Sequence, residues 1–364
     1  MKKKVLYVIS SLTACGPVNV MLEIIKNQNK DVFDIYILAL SRAKKNDITA
    51  EFEKEGVTCL LLEMSRINTY IHGVKRIKLL VDKIRPHIIH THCIRSTYFI
   101  GKIATNAKKI VTIHNYPHLD YKFGYGPIIG TIAGYFMLNS IKKFDIRIAC
   151  SKSISDELKE KYNIDTIYIR NGVRENDKYN KRSVIRKSLG LTDNDLMVIS
   201  VGSLSERKNP IYILEQAKKL KNKNIKLIFL GDGPQKNKCR NYQNNNIIFL
   251  GNIPNVDDYM AAADIYVSAS KAEGLPLSVL EALSAGVPVL LSNIAPHREI
   301  LDVSKNTMGY IFNLSLDGDF LDKIGCLENK STREKLSMNA KNNFVNYFDD
   351  HIMGKAYEKI YIKY

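Results

Sequence analysis

The sequence predicts an α/β protein made of two doubly wound parallel-sheet domains in tandem. At 364 residues the chain is too long for one ordinary hydrophobic core. Short apolar runs alternate with stretches whose apolar residues recur at helical spacing, which is typical of buried parallel strands joined by helices. This alternation restarts after residue 185. Length, alternation and repetition together indicate two domains.

The first half of the chain contains the first set of predicted elements. Strands are expected at residues 5–10, 35–40, 87–90, 109–113 and 146–149, and helices at residues 18–27, 73–84 and 96–105. The opening segment has a second interpretation, because Lys2, Lys3 and Lys4 before an apolar run also resemble a short signal peptide. Its apolar core is only about eight residues, which is short for a signal. Because the alternation also needs a first strand, we expect a buried strand there.

The second half repeats the alternation. Strands are expected at residues 196–201, 226–230, 247–250, 265–267 and 287–291, and helices at residues 210–220, 256–262, 276–284 and 333–344. The polar stretch 174–187 has no strand pattern and is predicted to link the domains. Two doubly wound domains are expected to bind their ligand at the carboxyl ends of their strands, in the cleft between them.

One apolar segment, residues 123–138, departs from the alternation. It is shorter than the ~20 residues that cross a bilayer, and its four glycines weaken it as an isolated helix. The favoured interpretation is a core helix of the first domain. The alternative is an interfacial segment near a lipid. It is supported by three aromatic residues, Tyr125, Tyr135 and Phe136, and by the following Lys142 and Lys143.

Charge and cysteine content narrow the functional classes. The formal net charge is +17, with 31 Lys and Arg against 17 Asp and Glu in residues 1–185, and 23 against 20 in residues 186–364. The basic first half favours contact with a membrane surface or a phosphorylated acceptor. No nucleic-acid-reading motif accompanies the charge, so we expect no nucleic acid partner. The six cysteines form no CxxC pair, which favours reduced thiols in the cytoplasm and no metal site.

The strongest chemical signal lies between residues 271 and 288. Glu273 stands in a turn after a predicted strand, and Glu281 lies eight residues later on the next helix, a little over two turns away. Pro276 is expected in the first turn of that helix, where proline is tolerated. A helix N-terminus offers free N–H groups and a positive dipole end to an anion. The two carboxylates could bracket an elongated ligand, one binding sugar hydroxyls and the other a ribose.

This string closely resembles the glutamate signature of the family 4 (group 1) retaining glycosyltransferases, which have the GT-B fold. Other segments of the second half also match motifs of this family. They are residues 201–210, which resemble its phosphate-binding turn, residues 230–234, which match its Gly-Asp/Glu-Gly-Pro turn, residues 249–253, which match the loop that meets the nucleobase, and residues 263–268, which lead into the glutamates. The resemblance is densest over residues 196–300 and looser over residues 1–185.

The resemblance implies roles for matching residues of the second domain. Glu281 would bind the ribose, Glu273 would hold the transferred sugar, and Lys208 would neutralise the diphosphate. Ser203 replaces an arginine that is common in the family, and Arg207 is the candidate substitute. The other donor-binding candidates are Ile253 and the turn residues Gly274, Leu275, Pro276 and Leu277.

In the first domain the resemblance concerns strand ends. Residues 111–115 resemble the strand end whose histidine, here His114, faces the transferred sugar in the family. Gly16 lies in a turn that resembles the family's glycine-rich loop near donor and acceptor. The spacing of His87, His90 and His92 could suggest a metal site, but the family needs none.

The resemblance implies a GT-B architecture, with two Rossmann-like doubly wound domains facing across a cleft. Residues 1–180 would form the acceptor-side domain, residues 190–345 the nucleotide-sugar domain, and residues 346–364 a helix crossing back to the first domain. The implied activity is hexosyl transfer from a UDP- or GDP-type sugar with retention of configuration and no metal or other cofactor. Catalysis would depend on positioning and on electrostatic stabilisation of the departing diphosphate, without a covalent nucleophile.

The expected acceptor is a lipid-linked glycan of a bacterial surface polysaccharide. The enzyme would be cytoplasmic and peripheral on the inner face of the cell membrane, with an anionic membrane surface as partner. Two alternatives remain open. A nucleotide-sugar epimerase or hydrolase shares the architecture, and release of free sugar would favour it. A non-enzymatic basic protein that binds membranes or nucleic acid would explain the charge alone.

Overall fold

The computed structural model describes residues 2–42, 46–62, 64, 66–177 and 181–364. The chain divides into two compact units, one formed by Met1–Gly172 with Asp350–Tyr364 and the other by Val173–Asp349. We call them unit 1 and unit 2. Each is an α/β structure organised around one parallel sheet.

Unit 1 contains a sheet of seven parallel strands within its described residues. The strands are β1 (Lys3–Ile9), β2 (Phe33–Ala39), β3 (Thr58–Leu61), β4 (Ile88–Thr91), β5 (Lys108–Ile113), β6 (Ile146–Ala149) and β7 (Ile167–Tyr168). Their order is β3-β2-β1-β4-β5-β6-β7. The helices are α1 (Gly16–Lys26), α2 (Thr49–Lys54), α3 (Arg66–Ile84), α4 (Ile94–Ile100), α5 (Pro117–Tyr125), α6 (Pro127–Ile141), α7 (Lys152–Tyr162) and the last helix of the chain, α16 (Asp350–Lys363).

The opening segment is an inner strand of this sheet. β1 pairs with β2 on one side and β4 on the other, and every side chain from Val5 to Ile9 is fully buried. The predicted first strand is therefore confirmed. The helix predicted at residues 96–105 is shorter than expected, because α4 ends at Ile100.

The apolar segment 123–138 forms parts of two helices. Gly126, with a φ of 79°, separates α5 from α6. The helices pack closely through Gly130 and Gly134, where an added Cβ would lie 2.4 Å from Lys122 N and 3.0 Å from Pro117 O. Another face of α6 exposes 51–76% of each of its large side chains, which are Ile128, Ile129, Ile132, Tyr135 and Phe136. The core-helix prediction is therefore wrong for this face, because among the described residues only one side of α6 packs on protein.

None of the helices in the described residues has the length and hydropathy that crossing a membrane requires.

The helix α16 joins unit 1 through buried polar contacts. The Tyr361 hydroxyl lies 2.6 Å from His90 Nδ1 and 2.9 Å from the Tyr7 hydroxyl. The other ring nitrogen of His90 lies 2.8 Å from the Thr112 hydroxyl, so both nitrogens have a partner. The Asn27 amide donates to the Asp350 carboxylate at 2.8 Å. These bonds hold α16 against β1, β4 and the end of α1.

Unit 2 contains a sheet of six parallel strands within its described residues. The strands are β8 (Leu196–Val201), β9 (Ile225–Leu230), β10 (Ile247–Gly251), β11 (Ile265–Ser268), β12 (Val289–Ser292) and β13 (Gly309–Phe312), in the order β10-β9-β8-β11-β12-β13. The helices are α8 (Arg182–Ser188), α9 (Pro210–Ala217), α10 (Lys236–Arg240), α11 (Val256–Ala262), α12 (Leu277–Ser284), α13 (Ala295–Leu301), α14 (Asp319–Glu328) and α15 (Lys330–Tyr347). All ten predicted strands of the two units occur within two residues of their predicted ends, and the short β3, β7 and β13 are additional.

The predicted linker, residues 174–187, is in part a helix. Residues 178–180 lie outside the described residues, and α8 begins inside the stretch. Arg182 Nη2 and Arg186 Nη1 donate to the two carboxylate oxygens of Asp264 at 2.5 and 2.9 Å. These ion pairs attach α8 to the rest of unit 2, so this part of the polar stretch is not a linker.

Candidate active site

The strand order of unit 2 reverses between β8 and β11. β9 and β10 extend the sheet on one side of β8, and β11, β12 and β13 extend it on the other. In doubly wound sheets, ligands bind outside the carboxyl ends of the strands at such a reversal. The loops that follow β8 and β11 meet here, because the Lys271 N–H donates to the Arg207 carbonyl at 2.8 Å.

Glu273 forms ion pairs with two cations of the β8 loop. Arg207 Nη1 lies 2.7 Å from Glu273 Oε2, and Lys208 Nζ lies 2.7 Å from Glu273 Oε1. The family resemblance implies that Lys208 and Arg207 bind a diphosphate, and the structure brings both to the glutamate that it implies holds the sugar. Two cations against one carboxylate leave one formal positive charge. The cluster of Arg207, Lys208 and Glu273, which we call the charged cluster, therefore keeps an attraction for an anion.

The Glu273 carboxyl is strongly acidic despite its burial. Its residue is only 6% exposed. Burial alone would raise its pKa, but Lys208, Arg207 and a hydrogen bond from Ser270 lower the pKa to about 2. Glu273 is therefore ionised at neutral pH and able to accept hydrogen bonds from hydroxyl groups.

Glu281, on α12, has the opposite electrostatic environment. Burial and the nearby Asp257 raise its pKa to about 7, although Lys208 acts in the other direction. Near neutral pH this carboxyl can donate a hydrogen bond to a ligand hydroxyl when it is protonated and accept one when it is ionised.

Glycines let the loops after β8 and β9 pack closely. Gly231 has a φ of 130°, and a Cβ added there would lie 2.0 Å from the Gly202 carbonyl oxygen. A Cβ on Gly233 would lie 2.8 Å from Ser203 Oγ, so Ser203 packs against this turn. The Lys208 side chain passes Gly202, with Nζ 3.5 Å from the position that a Cβ would take. The loops after β8 and β9 therefore form one surface, and the Lys208 side chain lies along it.

The remaining predicted donor-site residues lie on the same edge of the sheet. Gly274 and Leu275 are buried in the turn before α12. Pro276 is the N-cap rather than a residue of the first turn, so the helix begins one residue later than predicted, at Leu277. The first N–H groups of a helix have no partner within it. Ile253 follows the carboxyl end of β10 and is half-buried.

Unit 1 places its two predicted residues after strands. His114 follows β5 and lies beside His92, which follows β4, and His92 Nδ1 is 2.9 Å from His114 Nε2. Burial lowers the pKa of His114 to about 3, so the ring is neutral at physiological pH. Gly16 is the first residue of α1, and a Cβ added there would meet no atom within 4 Å.

His297, in α13, lies outside every predicted site and motif of the sequence. Burial lowers its pKa to about 4, the bond to Ser292 and the charge of Glu273 raise the pKa, and Lys208 lowers it. His297 Nδ1 lies 2.9 Å from the Ser292 carbonyl oxygen. Its position in the sequence could have indicated a ligand-binding role, because His297 follows shortly after the strand predicted at residues 287–291. Ligand-binding residues are found at the carboxyl ends of such strands.

Two family models match the chain. Residues 181–343 match the glycosyl transferases group 1 model, and residues 15–176 match the glycosyltransferase family 4 model. The matched residues cover most of both units.

Two relatives from Escherichia coli show how far the similarity extends. The O-antigen biosynthesis glycosyltransferase WclY is 26% identical, over 98% of this chain and 98% of its own length. The UDP-Gal:alpha-D-GlcNAc-diphosphoundecaprenol alpha-1,3-galactosyltransferase is 28% identical, over 74% of this chain and 73% of its own length.

Solved structures share the fold over the whole chain. Anabaena Alr3699/HepE, in complex with UDP-glucose, has a TM-score of 0.84 at 16% identity and covers 99% of this chain and 100% of its own. WaaG, a glycosyltransferase involved in lipopolysaccharide biosynthesis, has a TM-score of 0.77 at 12% identity and covers 98% of this chain and 99% of its own. The family models, the relatives and the two parallel-sheet units agree: this chain is a group 1 (family 4) glycosyltransferase with the GT-B fold.

Proposed function

We propose that this glycosyltransferase moves a hexosyl group from a UDP-sugar to a lipid-linked glycan, with retention of configuration and without a metal, during assembly of a bacterial surface polysaccharide. The observation that carries the proposal is the charged cluster, in which both cations lie 2.7 Å from Glu273. UDP is favoured over GDP because the Anabaena protein was solved with UDP-glucose and the Escherichia coli galactosyltransferase is named for UDP-Gal. The O-antigen and diphosphoundecaprenol names of the two relatives support the acceptor class.

The charged cluster would rearrange around the donor. Lys208 moves from Glu273 to the diphosphate, whose negative charge grows as the sugar departs. Arg207 keeps Glu273 ionised and, with serine at position 203, also supplies the second cation near the phosphates. Glu273 binds hydroxyls of the transferred sugar, Glu281 binds the ribose, and the N–H groups at the start of α12 add to the anion site.

The chemical step in this proposal is a same-face displacement. The acceptor oxygen bonds to the anomeric carbon while the bond from that carbon to the diphosphate breaks, and the leaving phosphate takes the acceptor proton. His114 contacts the transferred sugar, as the family resemblance implies. No side chain forms a covalent glycosyl intermediate, so rate enhancement rests on positioning and on neutralising the diphosphate.

The surface of unit 1 supports a membrane-bound acceptor. The same unit exposes the apolar face of α6 and three lysines, which are Lys122 in α5 and Lys142 and Lys143 directly after α6. Each lysine near an anionic leaflet adds ~1 kcal/mol of attraction, and shallow apolar insertion combined with charge binds better than either alone. We assign docking on the anionic cytoplasmic leaflet to this face and these lysines.

Thermal unfolding with nucleotides tests the donor. We expect UDP to raise Tm more than GDP or ADP, by an amount equivalent to about 2.7 kcal/mol at a hundred times its Kd. Glu281→Ala should lose most of this stabilisation. If none of the three nucleotides protects the protein, the donor proposal is wrong, and release of free sugar in the absence of acceptor would favour a hydrolase.

Co-sedimentation with liposomes tests the membrane surface. Binding should increase with anionic lipid and decrease with salt. Phe136→Asp should weaken it, whereas Met338→Asp, an exposed apolar residue of α15 in unit 2, should not. Binding that does not change with lipid charge or salt concentration would contradict the electrostatic contribution. Equal binding by the two variants would contradict the role of α6.

A further inference from the structure

His297 has one unpaired polar atom close to the charged cluster. The residue is 0% exposed and follows the carboxyl end of β12. Nδ1 lies 2.9 Å from the Ser292 carbonyl oxygen, whereas Nε2 has no hydrogen-bond partner among the described residues. Buried polar atoms are almost always paired, so this exception points to a partner outside the chain.

The bond at Nδ1 determines which ring nitrogen carries the proton. A carbonyl oxygen only accepts hydrogen bonds, so the proton lies on Nδ1. Burial lowers the pKa of His297 to about 4, so the ring is neutral at physiological pH. Nε2 therefore has a lone pair and can act only as an acceptor.

Two serines connect His297 to the loop that holds Glu273. The Ser292 hydroxyl donates to the Ser270 carbonyl at 2.6 Å. Ser270 lies three residues before Glu273 in the loop after β11, and its side chain helps to lower the pKa of that carboxyl. The charge of Glu273 also raises the pKa of His297, and the charge of Lys208 lowers it. The imidazole therefore lies in the same corner of unit 2 as the carboxylate proposed to bind the sugar.

The lone pair on Nε2 restricts what can pair with it. Phosphate oxygens at neutral pH accept hydrogen bonds, so the diphosphate is not a suitable partner, whereas a sugar hydroxyl can donate. We propose that His297 Nε2 accepts a hydrogen bond from one hydroxyl of the transferred sugar, after a diphosphate has drawn Lys208 away from Glu273. This inference rests on the proposed nucleotide-sugar function and adds a residue that selects and positions the sugar.

Two amide variants separate the functions of the ring nitrogens. His297→Asn places an amide near the position of Nδ1 and can keep the bond to Ser292, but it has nothing at the position of Nε2. His297→Gln places an amide near the position of Nε2. Titrations with UDP, UDP-glucose and UDP-galactose would measure how much the sugar adds to affinity. We expect His297→Asn to bind UDP like the wild type and the preferred UDP-sugar about tenfold more weakly, as for loss of one buried hydrogen bond.

Deoxy-sugar forms of the preferred donor would identify the hydroxyl. Removing the hydroxyl bound by His297 should weaken wild-type binding about tenfold and should not weaken His297→Asn binding further. Removing any other hydroxyl should affect both proteins alike. His297→Gln, which keeps an acceptor, should still depend on the same hydroxyl.

The assignment is overturned if His297→Asn loses UDP and UDP-sugar affinity equally, or if every deoxy donor affects it as much as the wild type. The assignment is also overturned if donor binding by His297→Gln no longer depends on that hydroxyl. This second test remains valid even if His297→Asn fails to fold. Failure of the wild type to bind any uridine nucleotide would overturn the proposed function instead.

Discussion

Replacing Lys208 with alanine should nearly abolish transfer while leaving unit 2 folded. In the structure Lys208 Nζ lies 2.7 Å from Glu273, and Arg207 Nη1 lies at the same distance from the other carboxylate oxygen. Because Arg207 remains, the buried carboxylate keeps one cation. The loss in stability should therefore be smaller than the about 3–5 kcal/mol for a buried charge left alone.

The loss in rate should be larger than the loss in stability. Removing one preorganised charge that stabilises the transition state costs about 2–4 kcal/mol, or 10² to 10³ in kcat. Affinity for UDP should also fall, because Lys208 is the proposed partner of the diphosphate. The assay is the initial rate of sugar transfer together with titration of UDP.

A matched lysine provides the control. Lys219 also pairs with a carboxylate, because its Nζ lies 2.8 Å from Asp317 Oδ1. This second ion pair, however, is on the exposed surface of unit 2. Lys219→Ala should keep wild-type kcat and change stability by less than about 1 kcal/mol. A Lys208→Ala protein with a wild-type unfolding midpoint and near-wild-type kcat would refute the donor-site assignment.

Further predictions concern pH, stereochemistry and the C-terminal helix. The folded-state pKa of Glu281 is about 7, above its ordinary 4.5. Its contribution to the free energy of unfolding is therefore present below pH 4.5 and is lost as pH rises through 7. In urea unfolding, Glu281→Gln should remove about 1–3 kcal/mol of this decrease in the free energy of unfolding. The folded-state pKa of Glu273, about 2, is below 4.5, so its contribution is present above pH 4.5 and lost as pH falls towards 2, a loss that Glu273→Gln should not show. The product should keep the donor's anomeric configuration by NMR, and EDTA should not inhibit; an inverted product would contradict the proposed mechanism. Tyr361→Phe removes the hydroxyl 2.6 Å from His90 Nδ1 and should lower the free energy of unfolding by about 1–3 kcal/mol, measured by urea denaturation.

Local sequence patterns were sufficient for much of the fold. The continuous apolar run at residues 5–9 predicts a strand buried on both faces, and β1 is such a strand. The same pattern says little about short strands, and β7 has only two residues. It also cannot tell which face of an apolar helix is covered. For residues 123–138 the close contact of Gly130 with the backbone of α5 decides which side of α6 is buried.

Local patterns along the chain were enough to predict the α/β class, the two-domain repeat and the places of Glu273 and Glu281 in the chain. These follow from burial periodicity and from a contiguous motif, both of which are local along the chain. The partners of those carboxylates, in contrast, depend on how the strands are arranged in three dimensions. Arg207 reaches Glu273 across 66 positions of sequence because β8 and β11 are neighbours in the sheet. His297 joins the same corner because β12 follows β11 in the strand order. Strand order depends on how the whole chain packs, and so do the charges and the burial that set the pKa of Glu273 to about 2 and of Glu281 to about 7.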